Sequence, residues 1–247
     1  MIRCFLLALV ACATLGSQSA YAVIYNWVDG VDRIKNPSTA GPWTYGSKAS
    51  LSAPFVPMRK SVFTRRFDDL VFVQWIDEGP GANLEFNLRD NFAEDAYGGG
   101  RPADSLTIHP GAGGVYGVLR FTAPTAGNYT FNVSFTGNNS IVAPSTDVHV
   151  LVNGANSYSG AVNAIRVGEV LGAGPTFVPA SPIPLAAGGT IDLAVGDGGN
   201  GHGFDLTGAY GYIERIGGAV SSVPEPACAT LAGSALMAIG LLRRRSR

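Results

Sequence analysis

Tyr129-Thr130-Phe131-Asn132-Val133-Ser134-Phe135-Thr136 alternates apolar and polar residues without a break. Successive side chains of a β-strand point to opposite faces. Tyr129, Phe131, Val133 and Phe135 therefore share one face, and Thr130, Asn132, Ser134 and Thr136 share the other. The stretch predicts a strand buried on one side and wet on the other.

The same pattern recurs on both sides of it. Residues 147–153 place Val148, Val150 and Val152 inward. Residues 116–122 form a further predicted strand, stopped by Pro124. Residues 190–195 alternate Ile191, Leu193 and Val195, and residues 209–216 close the series. Upstream, 70–76 and 84–88 are predicted strands, and Trp43-Thr44-Tyr45 is the expected start of the sandwich. Ala126-Gly127-Asn128, Gly137-Asn138-Asn139, Asn153-Gly154 and Ala187-Gly188-Gly189 are turn signals between strands. No stretch outside the termini has a helical period. The expectation is an all-β chain with one domain, 23–216, built as a jelly-roll-like antiparallel β-sandwich. Residues 23–41 give no clear reading.

The two ends follow different physics. Met1-Ile2-Arg3 is a basic start, residues 4–16 are apolar, and Ala20-Tyr21-Ala22 is a small-x-small cleavage site. This reads as a signal peptide over 1–22, with Ala20 and Ala22 at the cut. Leu9-Val10-Ala11-Cys12 is a competing lipobox, although apolar residues continue past Cys12. At the other end, 217–222 is a short Gly/Ser/Val tether, followed by Val223-Pro224-Glu225-Pro226. Its prolines hold the backbone extended, as a processing enzyme needs. The sixteen residues 227–242 carry no charge. As a helix they would span roughly 24 Å, a little short of a bilayer core. Arg243, Arg244 and Arg245 then form a basic membrane stop that stays on the cytoplasmic side. The alternative is a buried C-terminal helix ending in a basic turn.

Motif, apolar run and arginines, in that order over 223–247, resemble the PEP-CTERM sorting signal of Gram-negative bacteria. The resemblance implies export, an inner-membrane-anchored precursor and cleavage near Pro224-Glu225-Pro226 by an exosortase-type enzyme. It also implies release or transfer to the cell surface, in the company of exopolysaccharide and biofilm genes. From about residue 107, beginning with His109-Pro110-Gly111 and Leu119-Arg120-Phe121-Thr122 and running to the segment 191–197, the order of strands and turns resembles the jelly-roll domains of many PEP-CTERM proteins. Those are similar in outline to carbohydrate-binding modules.

Composition narrows the chemistry. All three cysteines, Cys4, Cys12 and Cys228, lie in the terminal segments. The domain between them has no disulfide framework, no thiol nucleophile and no cysteine-ligated zinc. Removing Arg3 and four tail arginines leaves 12 basic residues of 17, and removing Glu225 leaves 17 acidic of 18, a net of −5. An acidic domain of this kind is not built for nucleic acid.

Candidate site residues are few. Asp197-Gly198-Gly199-Asn200-Gly201-His202-Gly203-Phe204-Asp205 is a glycine-rich loop with closely spaced oxygens. That suits Ca2+, with Asp197, Asn200 and Asp205 as candidate ligands, or else a turn in which the carboxylates cap backbone. His109, His149 and His202 have no metal-ligand spacing, and His149 is expected on a solvated sheet face. The acidic pairs Asp68-Asp69, Asp77-Glu78 and Glu94-Asp95 read as solvated surface, not as a glycosidase pair. No Gly-x-Ser-x-Gly elbow, P-loop or dinucleotide fingerprint occurs. Trp27, Trp43, Trp75, Tyr45, Tyr97 and Tyr158 are the aromatic supply for stacking on sugars, with Tyr97 and Tyr158 expected at the surface and Trp75 in the core. The resulting expectation is a non-catalytic surface or matrix protein associated with extracellular polysaccharide. A purely structural surface protein and a polysaccharide-active enzyme are the alternatives.

Overall fold

The computed structural model describes residues 22–32, 35–65, 71–79 and 81–217. Its strands, in chain order, begin with β1 (Val23–Tyr25), β2 (Trp43–Lys48), β3 (Val56–Pro57), β4 (Lys60–Arg65), β5 (Val71–Ile76) and β6 (Asn83–Asn87). A short pair, β7 (Ala93–Glu94) and β8 (Gly100–Arg101), precedes β9 (Ser105–His109), β10 (Tyr116–Thr122) and β11 (Gly127–Gly137). Then come β12 (Thr146–Val152), β13 (Ala155–Val162), β14 (Gly172–Phe177), β15 (Ile183–Leu185), β16 (Thr190–Val195) and β17 (Thr207–Ile216). No helix occurs among the described residues.

Two antiparallel sheets result. One runs β14-β11-β17-β9-β6-β5-β4, with β1 added beside β17 and β15 beside β11. The other runs β13-β12-β16-β10-β2-β3, while β7 and β8 form a small sheet of their own. The chain changes sheet at each step from β9 to β12, which makes the sandwich jelly-roll-like. β11 pairs with β17 along its length, from Asn128↔Ile216 to Gly137↔Thr207.

The predicted inward residues form the core. Tyr129, Phe131, Val133 and Phe135 are buried together with Val148, Val150, Ile191, Leu193 and Val195 in one cluster. All three tryptophans join them. Trp27 meets Trp43 edge-on at 5.9 Å, and Tyr45 stacks on Trp75 at 5.2 Å. The Asn153-Gly154 turn between β12 and β13 has φ of 50° and 81°. Two consecutive positive φ values are what a two-residue hairpin turn of this hand requires.

The start of the sandwich differs from the expectation. It begins at β1, twenty residues before Trp43, because Val23–Tyr25 adds to the edge of β17. The described residues that follow, 26–32 and 35–42, cover the sandwich without regular structure. The Asn36 amide holds them down, donating to Tyr45 O (2.6 Å) and Met58 O (2.7 Å). Side-chain bonding of this kind leaves no periodicity to read. Ala22–Ile216 form one compact unit. Ala20, the tether beyond Gly217, the motif Pro224-Glu225-Pro226, the apolar run 227–242 and Arg243, Arg244 and Arg245 lie outside the described residues. So do Asp68 and Asp69.

Candidate functional site

β6 and β9 pair so that Asn83 lies opposite His109, and Glu85 opposite Thr107. Leu84, Phe86, Leu106 and Ile108 point into the core. Period 2 therefore turns Asn83, Glu85, Thr107 and His109 to the outer face. That face is covered. The loop from residue 88 to 104 folds over it from one side, and residues 202–206 close over it from the other. Between them is a pocket of about 410 Å3. Asn83, Glu85 and His109 line its floor, while Asp95, Tyr97, Arg101, Asn139, His202 and Phe204 line its walls.

Two buried arginines hold the covering loops. Arg101 donates through Nε to Glu85 and through Nη1 to Asp95 Oδ2 (3.0 Å) and Gly99 O (2.8 Å). Its guanidinium lies 4.9 Å from the centre of the Phe72 ring. Gln74 Nε2 donates to the other oxygen of Glu85 at 2.6 Å. Burial alone would lower the Arg101 pKa, but Glu85 and then Asp95 outweigh it and raise it. Arg166 is the second pin. It pairs with Glu94 at 2.6 Å and donates to Gly98 O, Asn138 O and Gly168 O. The reading of Asp95 as solvated surface is corrected, since its carboxylate secures Arg101, while Glu94 is exposed as expected and pairs with Arg166 from the surface. Asp77 is committed too, accepting from Ser47 Oγ at 2.6 Å.

The floor leaves specific atoms open. Asn83 Nδ2 donates to Gly81 O (3.4 Å), while Asn83 Oδ1 is buried without a partner. His109 Nδ1 lies 2.7 Å from Pro110 O, so it carries the proton and Nε2 presents its lone pair. Burial lowers the His109 pKa and keeps the ring neutral. The His202 ring stands nearly perpendicular to it at 5.9 Å. On the rim Tyr97 is 62% and Phe204 40% exposed. Phe204 has φ of 68°, a left-handed conformation that costs a residue with a Cβ about 1–2 kcal/mol.

Sequence reasoning identified Tyr97 and missed Asn83, Glu85, Arg101 and His109 as a group. A signal was present in Gly98-Gly99-Gly100. A Cβ on Gly100 would come within 2.6 Å of both Arg166 Nε and the Phe92 ring, and one on Gly99 within 2.8 Å of Asp95 Oδ2. The glycine run marks where the loop meets its pins. The other sugar-platform aromatics are used elsewhere. Trp27, Trp43, Trp75 and Tyr45 are core. Tyr158, expected in a polar loop, lies on β13 and packs edge-on against Phe131 at 5.5 Å.

Among the three candidate calcium ligands, Asp197 Oδ1 accepts from Gly199 N at 3.0 Å and closes its own turn. Asn200 Oδ1 and Asp205 Oδ1 meet at one hydroxyl, Ser145 Oγ, at 2.9 and 3.2 Å. Ser145 N also donates to Asp205 Oδ1. Asp205 Oδ2 is buried without a partner, and burial raises this carboxyl's pKa. Among the described residues no group of three or more His, Cys, Asp or Glu is arranged to hold a metal ion. These oxygens mostly tie the loop to Ser145 and to itself, and fall short of the six to eight that calcium takes.

His149 corrects a second expectation. It is 7% exposed, because Leu51, Phe55 and Tyr116 pack on the outer face of its sheet around Val118, Leu151 and Ala194. Its Nε2 lies 2.9 Å from Asp147 Oδ2 and its Nδ1 3.0 Å from Ser159 Oγ. Asp147 also accepts from Tyr116 OH (2.6 Å) and Gly198 N (2.9 Å). Burial alone would raise the Asp147 pKa. Bonds from His149, Tyr116 and Gly198 outweigh it and hold the carboxyl well below the usual range.

No protein-family model matches this chain, and no curated relative does. Solved structures with a related outline include a family 51 carbohydrate-binding module from Clostridium perfringens GH95 in complex with methyl-galactose. It is 14% identical and has a TM-score of 0.34, with 63% of this chain and 100% of that one covered. A family 35 carbohydrate-binding module from Clostridium thermocellum is 15% identical, with a TM-score of 0.30 and coverage of 59% and 98%. A cyclase from Fischerella sp. TAU in complex with 4-(1H-indol-3-yl)butan-2-one is 14% identical, with a TM-score of 0.34 and coverage of 81% and 91%.

Proposed function

We propose that this is an exported protein, displayed at or released from the cell surface, that binds extracellular polysaccharide in the pocket over β6 and β9 without reacting with it. One observation carries the reading. The exposed rings of Tyr97 and Phe204 rim a pocket whose floor offers Asn83 Oδ1 and His109 Nε2. A sugar ring is likewise two-sided, with an apolar C–H face and a rim of hydroxyls. Aromatic rings take the first and fixed polar atoms the second. The terminal segments supply the address: a signal peptide, a PEP-CTERM-like tail and an exosortase-type processing partner. The non-catalytic part rests on Arg101, which holds both pocket carboxylates, Glu85 and Asp95. Glycoside hydrolysis needs one carboxyl free to give a proton and another free to attack or activate water.

The test is a glycan array followed by titration calorimetry on the full-length protein, with calcium and with chelator, including the producer's own exopolysaccharide. Saturable binding that Tyr97→Ala weakens about tenfold is the expected result. Loss of binding with chelator would give calcium a role at Asp197, Asn200 and Asp205. No binding by folded protein would leave the purely structural reading. Release of reducing sugar would establish the enzyme.

A further inference from the structure

The charge of the pocket narrows the class of sugar, on the condition that the sugar-binding reading of this pocket holds. Two carboxylates, Glu85 and Asp95, line it with one guanidinium, Arg101, which bonds to both. Together these three groups carry one net negative charge. Arg101 Nε and Nη1 are committed to protein acceptors, which leaves Nη2 as its free donor.

The open atoms on the floor are acceptors. With Asn83 Nδ2 turned toward Gly81 O, Oδ1 is the unpartnered end of the amide. His109 Nδ1 is committed to Pro110 O, so Nε2 can only accept. Asn83 and His109 are direct cross-strand partners, and Glu85 follows two residues on along the same face. Direct partners of this kind lie about 5 Å apart and diagonal ones about 7–8 Å. A buried acceptor left unpaired costs free energy, and so does an unbalanced charge. A neutral hydroxyl would answer the first cost only. An ammonium answers both, with three N–H donors and a positive charge on one small group.

We propose that the pocket selects amino sugars with a free amine, the ammonium seated among Asn83 Oδ1, His109 Nε2 and the Glu85 carboxylate, and the sugar ring against Tyr97 and Phe204. N-acetylation removes the charge and two of the three donors, and adds bulk where the floor is closest.

Titration calorimetry of the full-length protein with short oligomers of glucosamine, N-acetylglucosamine and glucose tests this, at about pH 6, below the usual range of an amine. The expected result is about tenfold tighter binding of the glucosamine oligomer, the discrimination that one charge-assisted contact supplies. The margin should shrink as salt is raised. Tyr97→Ala should weaken glucosamine binding, which separates seating in the pocket from loose attraction of a polycation to an acidic protein. Unchanged binding in that variant overturns the proposal. Equal or tighter binding of the acetylated or neutral oligomer also overturns it, while the sugar-binding reading stands. If no oligomer binds, this proposal falls, and the glycan array decides the sugar-binding reading by itself.

Discussion

β6 and β9 are buried on both faces, by opposite means. Leu84, Phe86, Leu106 and Ile108 face the sandwich, and Glu85 and Thr107 face away from it, yet all six are at most 5% exposed. The inner face needs only area and shape, because hydrophobic burial has no direction. The outer face needs partners, since a buried polar atom without one is costly. Gln74, Arg101 and the Glu85 carboxylate supply them to one another. The comparison shows how this sheet supports a pocket. A polar layer is folded onto a finished core, satisfied nearly everywhere, and left open at a few atoms that a ligand can complete.

Adjacent residues on β6 test that division. Phe86→Ala should cost about 3–5 kcal/mol in urea unfolding, the usual loss for a fully buried ring. Sugar binding per folded molecule should be unchanged. A loss of binding larger than the unfolded fraction would show that the two faces are not separable. Glu85→Gln should cost about 3 kcal/mol, because it keeps the shape but leaves Arg101 short of one counter-charge. Its signature should be local, with faster amide exchange across residues 88–104 than in Phe86→Ala. Uniform acceleration across the sandwich would mean that the polar layer is part of the core after all.

The smallest effect concerns the outer face of the other sheet. The Asp147 carboxyl is held below its ordinary pKa, so its contribution is present above about pH 4 and lost as pH falls toward the depressed value. Because the side chain is 30% exposed, roughly 1 kcal/mol is at stake after solvent screening. Asp147→Asn should therefore flatten the acid limb of a stability–pH curve. An unchanged limb would mean that the bonds from His149 and Tyr116 do not stabilise the sheet.

The strands were legible because the core is one-sided. Residues 116–122 and 190–195 were readable to the residue, since alternation reports which side chains share a face. Alternation does not report whether the opposite face meets water. That is why His149 was expected to be solvated, and why Glu85 passed unnoticed as the polar member of a strand. The pocket was illegible for a related reason. Glu85 and Arg101 lie sixteen positions apart and meet only through a loop that leaves no period. Asp205 was singled out by its glycine-rich surroundings, yet its carboxylate caps Ser145, sixty positions away. Tyr97 and the glycines at 98–100 beside it carried the local trace of the site.

Arg166 also orders events in time. The loop carrying Asp95, Tyr97 and Arg101 is made early in the chain, but its second pin is made some seventy residues later. The wall bearing His202 and Phe204 comes later still. During synthesis the first wall therefore waits for the rest of the chain, and loop closure over such separations is slow. The pocket is complete only once the chain has been made through Leu206. A chain halted before residue 202 carries most of the strands but not the second wall, so the pocket is open on that side.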